Sequence, residues 1–95
     1  MSTYTVRVEL HSSQYNPDFE TLHREMNKEG FSKLITADGG KTYHLPRGEY
    51  NISTNKNRSQ VLEAAKRAVQ ATGESGEIFV TESAGRSWHG LSEKK

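Results

Sequence analysis

The sequence predicts an α+β domain whose strands and helices follow the order βαββαβ. Three observations predict it: a strictly alternating stretch near the start, two segments with apolar residues at helical spacing, and breaks rich in Gly, Pro and Asn between them. The 95 residues fit one domain spanning 1–95, with an ordered core over about 4–82 and a loosely ordered tail over 83–95.

Tyr4, Val6, Val8 and Leu10 alternate with Thr5, Arg7 and Glu9, which is the pattern of a strand buried on one face. His11-Ser12-Ser13-Gln14-Tyr15 reads as a loop. Asn16 then offers a capping side chain, and Pro17 suits the first helical position because its missing N–H would be unpaired there anyway. Phe19, Leu22 and Met26 recur at helical offsets, and Gly30 supplies a left-handed stop, so a helix is expected over about Pro17 to Glu29. Phe31 to Ala37 and Lys41 to Leu45 flank the turn signal Asp38-Gly39-Gly40 and read as a hairpin. Pro46 and Gly48 break that hairpin as a bulge or kink, and alternation resumes over Glu49 to Thr54 with Tyr50 and Ile52 inward.

Asn57 with Gln60 three residues on forms a capping box for a second helix, whose stripe is Val61, Leu62, Ala65, Ala68 and Val69, and which closes at Gly73. A last strand follows over Glu77 to Glu82, with Ile78 and Val80 inward and Phe79 outward, read as an edge residue covered by the tail. This order is the ferredoxin-like split βαβ unit: a four-stranded antiparallel sheet, first and third strands central, with right-handed crossovers placing both helices on one face. The opposite face then stays open.

Composition narrows the function. Hydrophobic residues make up only 32%, so the core is thin, and 13 Lys plus Arg against 12 Asp plus Glu provide no global field for a long duplex or an anionic membrane. No cysteine occurs, which removes disulfides, thiolate zinc sites and cysteine nucleophiles. No apolar run reaches the ~18 residues of a membrane span, and Met1-Ser2-Thr3-Tyr4 does not start a signal peptide, so a soluble, cytoplasmic chain is expected. Phosphate-loop, dinucleotide and esterase glycine motifs are missing, as is any His-x-x-x-His or His-x-His pair, so no cofactor and no histidine metal site is expected, while a divalent metal stays open.

The open face would carry Thr5, Arg7, Glu9, Glu49, Asn51 and Ser53, without the central aromatic platforms on which RNA-recognition modules stack bases. Arg7 and Glu9, two apart on one face, read either as a phosphate contact beside a base or metal ligand, or as partners in a cross-strand ion pair. Histidine suits both proton transfers of RNA cleavage near neutral pH. His11 follows the first strand directly, while His23 and Arg24 share the first helix. Arg47, Lys33, Lys41, Lys56, Arg58, Lys66 and Arg67 read as a basic edge or as a solvated surface.

Tyr4-Thr5-Val6 with Glu9, Ser12-Ser13-Gln14-Tyr15, Phe19-x-x-Leu22, Gly30-Phe31-Ser32-x-Leu34, Leu45, and Tyr50-Asn51-Ile52-Ser53-Thr54 before a long second helix together resemble the GhoS family, the endoribonuclease antitoxins of type V toxin-antitoxin systems. The resemblance spans Tyr4 to about Trp88. It implies the same ferredoxin-like fold and cleavage of a toxin's messenger RNA. It places Glu9 where relatives commonly carry aspartate, and His23, with Arg24 adjacent, at or beside an arginine implicated in activity; the metal requirement stays open. The expected site is therefore Glu9, His11 and His23 for catalysis and Arg7, Arg24 and Arg47 for single-stranded RNA, with no membrane contact. The alternative is a non-catalytic protein- or RNA-interaction module, in the protein case one whose Trp88 tail or exposed strand edge binds another protein or a second copy, as a homodimer.

Overall fold

The structure, a computed structural model, describes residues 1–11 and 18–95. The elements are β1 (Ser2–His11), α1 (Phe19–Lys28), β2 (Leu34–Thr36), β3 (Thr42–His44), β4 (Glu49–Thr54), α2 (Arg58–Ala71) and β5 (Ser75–Glu82). Strand β1 pairs antiparallel with β4 on one edge and with β5 on the other. Its alternation is fully expressed, because Tyr4, Val6, Val8 and Leu10 are each at most 4% exposed while Arg7 and Glu9 are exposed. Leu22 and Met26 of α1, Tyr50 and Ile52 of β4, and Val61, Ala64, Ala65, Ala68 and Val69 of α2 complete one core cluster, so both helices cover the same face. Phe19, Ile78 and Val80 pack at its border.

The helix ends follow their local chemistry. The expected Asn16 cap and Pro17 start lie outside the described residues; the cap of α1 is Asp18, whose carboxylate accepts the Thr21 N–H at 2.9 Å. Gly30, at φ 96°, closes the helix as expected, with Gly30 N–H donating to Asn27 O and Phe31 N–H to Met26 O, each at 3.0 Å. The Asn57–Gln60 capping box of α2 is present in both directions. The buried stripe of α2 includes Ala64, and Leu62 is only half-buried at its side.

The expected four-stranded sheet does not form. The strands divide into a three-stranded sheet, order β4-β1-β5, and a separate two-stranded ribbon of β2 and β3, so β4 is an outer strand and not a central one. Two local features explain this. Glu49 N–H donates to Pro46 O at 3.0 Å, with Gly48 at φ 87°, a tight turn that sends β3 and β4 in different directions where a continuous kinked strand was expected. Ser32 exchanges two bonds with Asn51, but its hydroxyl then takes the Leu34 N–H at 3.0 Å, so pairing along β4 stops at a single bridge.

The tail is pinned to the ribbon side. Ser83 N–H bonds Thr3 O, the Arg86 guanidinium donates to Asn51 Oδ1 at 2.6 Å, and Trp88 meets Tyr43 edge-on at 5.7 Å. Bonds from His44 N–H to Ser92 O and from Lys94 N–H to Thr42 O lay the chain end along β3, and Ile35 is buried beside Trp88 and Leu91. Phe79, expected beneath the tail, is 71% exposed because the tail turns toward β4 and away from β5. No helix of the described residues is long and apolar enough to cross a membrane.

Gly48 carries the junction. Its carbonyl accepts the Val8 N–H at 2.7 Å, and a Cβ added there would stand 2.6 Å from Val8 O. Gly48→Ala combines left-handed strain with a backbone clash, and is expected to lower stability by at least about 2 kcal/mol, read as a fall in the urea midpoint.

Candidate functional site

The six expected site residues separate onto two sides of the sheet. Arg7, Glu9 and His11 lie on the open face, where β1 sits between β4 and β5. The register brings Glu49 beside Arg7 and Glu77 beside Glu9, and His11 Nε2 stands 3.7 Å from a Glu77 carboxylate oxygen. Arg86, the tail's contribution to this face, is committed to Asn51. The carboxylates of Glu9, Glu49 and Glu77 outnumber the guanidinium groups of Arg7 and Arg86 here, which opposes a polyanion. Among the described residues no group of three His, Asp or Glu is arranged to hold a metal ion.

His23 and Arg47 lie together on the helix side, at the corner where α1 meets the turn before β4. The core dictates this arrangement. Tyr50 points inward from β4 and is 1% exposed, so its hydroxyl needs a partner that the apolar cluster cannot supply. His23 sits on α1 one position after buried Leu22 and one turn after Phe19, and its Nδ1 is hydrogen-bonded to the Tyr50 hydroxyl. The two rings meet edge-on at 5.7 Å, and the Phe19 ring lies 6.4 Å from that of His23. The Arg47 guanidinium covers the other aromatic wall, 4.5 Å from the Phe19 centroid.

The electrostatics are those of a neutral base among cations. Burial holds the His23 imidazole below its usual 6.5, the nearby charges of Lys33 and Arg47 add to this, and Glu20 partly opposes them. Lys33 is itself held below the ordinary lysine range, first by burial and then by Arg47. Burial drives the Tyr50 phenol far above its normal value, so it stays protonated. An uncharged imidazole fixed by a phenol, with an ammonium and a guanidinium alongside, can accept a proton from a hydroxyl while the cations hold an anion.

Arg24 stands apart from this group on the exposed side of α1, reaching Thr21 Oγ1 at 3.5 Å near the Asp18 cap. Tyr50, Lys33 and Phe19 are members of the corner that sequence reasoning assigned to the core, the basic edge and the helix stripe. The signal that pairs them was present: an inward tyrosine demands a partner, and His23 shares a helix face with Phe19 at a spacing of four. No protein-family model matches the chain, and no curated protein matches it.

The depressed His23 pKa has a sign. As pH falls through about 6.5 the unfolded chain takes up the imidazole proton before the folded one, so the contribution of neutral His23 is present above that pH and fades below it. Wild type is expected to lose more stability than His23→Gln between about pH 7.5 and pH 5.5, measured as the difference in denaturant midpoint.

Proposed function

We propose that this protein binds single-stranded RNA at the α1–β4 corner and cleaves its backbone there. The observation that carries the reading is the neutral, tyrosine-anchored His23 near the charges of Lys33 and Arg47. In the tautomer whose Nδ1–H donates to the Tyr50 oxygen, Nε2 keeps the lone pair that removes a ribose 2′-hydroxyl proton. The 2′-oxygen attacks phosphorus and the bond to the 5′-oxygen breaks. Lys33, whose proton is held loosely by burial and by Arg47, returns a proton to the leaving oxygen, giving a 2′,3′-cyclic phosphate and a 5′-hydroxyl. Arg47 holds the phosphate, and Arg24 extends the cationic edge along α1. The resemblance to the GhoS antitoxins supports the same reaction and suggests a toxin's messenger RNA as substrate.

This reading moves RNA from the open face, where Glu9, Glu49 and Glu77 gather, to the opposite side of the sheet. The interaction-module reading has one observation in its favour, the exposed Phe79 on an outer strand. It uses a different surface.

End-labelled single-stranded RNA is expected to be cut by wild type with cyclic-phosphate ends, and about 10²- to 10⁴-fold more slowly by His23→Ala. Lys33→Ala with Arg47→Ala is expected to weaken binding and to flatten its salt dependence by about one unit of log–log slope per lost phosphate contact. Undiminished cleavage by His23→Ala, absence of binding at low salt, or a loss confined to Glu9→Ala would sink the assignment.

A further inference from the structure

Among the described residues, Phe79 and the chain-initial Met1 are the large apolar side chains left widely exposed. Phe79 lies in the middle of β5, an eight-residue strand at the outer edge of its sheet. One edge of β5 is bonded to β1 through an unbroken register from Tyr4↔Glu82 to His11↔Ser75, with no bulge. Natural sheets blunt such edges with lysine, proline, bulges or a covering segment. Strand β5 contains neither lysine nor proline, and the tail that could cover it turns toward β4.

We propose that β5 pairs antiparallel with β5 of a second copy of this chain, about a twofold axis at Phe79. The two three-stranded sheets then become continuous, with the helices of both copies on one side. Residues opposed across such a pair must share a face, which leaves few registers. With the axis at Phe79, the two Phe79 rings meet, Ile78 opposes Val80, Glu77 opposes Thr81 and Glu82 opposes Gly76. Every apolar residue of the strand centre meets an apolar one, and both carboxylates meet uncharged residues. An axis at Ile78 sets Phe79 against Glu77 and Glu74 against Glu82; an axis at Glu77 sets that residue against itself; an axis at Val80 sets Ile78 against Glu82. The strand is therefore self-complementary in charge and polarity in one register. Leu62 and Arg58 line the groove beside Ile78 and Val80 on the helix side, so α2 of each copy borders the same seam. The surface lies apart from His23, and the pairing does not depend on RNA cleavage.

Sedimentation of the full chain over a concentration series is expected to show a reversible rise from monomer to dimer mass, abolished by Phe79→Lys with the thermal melt of the monomer retained. The chain has no cysteine, so the register can be read directly. Under mild oxidation Phe79→Cys is expected to form a disulfide with its mate, since directly opposed strand residues lie within the ~4.4 to 6.8 Å Cα range of that bond. Thr81→Cys should not, because its own mate is about 13 Å away along the strands. A monomer at all concentrations up to about 1 mM would overturn the proposal. So would equal crosslinking of both cysteine variants, or a chain that stays monomeric while Phe79→Lys abolishes RNA binding, which would assign the face to base stacking.

Discussion

The fold depends on β1. Among the described residues it is the strand with another full strand on each edge, and its inward row of Tyr4, Val6, Val8 and Leu10 is almost wholly removed from water. Burying each such side chain is worth roughly 1.5 to 3 kcal/mol, a large share in a chain with so few hydrophobic residues. The helix above it contributes mostly alanine, which buries little area but lets α2 approach the sheet closely. The tyrosine at the start of that row is satisfied without disturbing the core, its hydroxyl donating to Lys56 O at 2.8 Å.

The same core generates the candidate site. A second inward tyrosine, Tyr50, carries its hydroxyl to the core's border, where it is almost wholly removed from water and its hydrogen-bond partner is His23 of α1. Placing a histidine there makes it half-buried, and half-burial beside Lys33 and Arg47 keeps it neutral. The two cations are held near it by features that also limit the sheet: Lys33 follows the Ser32–Asn51 bridge, and Arg47 occupies the Pro46–Glu49 turn. The break in the sheet and the cationic corner are consequences of one piece of local geometry.

The open face is divided in another way. Its β4 half is occupied by the tail through Arg86 and Trp88, and its β1–β5 half sets Arg7 beside Phe79 with the carboxylates of Glu9 and Glu77 two residues further along. Charge favours an anion on the helix side, while the bare edge and Phe79 favour a strand partner on the other. Two surfaces of different chemistry thus lie on opposite sides of a sheet only three strands wide.

Local pattern determined a good deal. Alternation identified β1 and its buried face, helical spacing located α1 and α2, and the Asn57–Gln60 box and Gly30 placed their ends, because each of these preferences is settled within a few residues along the chain. Alternation also put Arg7, Glu9 and Phe79 on the outward face. It could not say that Lys41–Leu45 and Glu49–Thr54 join different sheets, since strand pairing depends on where the Pro46–Gly48 turn sends the chain and on which N–H the Ser32 hydroxyl occupies. Nor could it set His23 with Tyr50, Lys33 and Arg47 while leaving Glu9 and His11 on the far side. Those neighbours are distant in sequence, and only packing of α1 against β4 brings their charges close enough to alter one another.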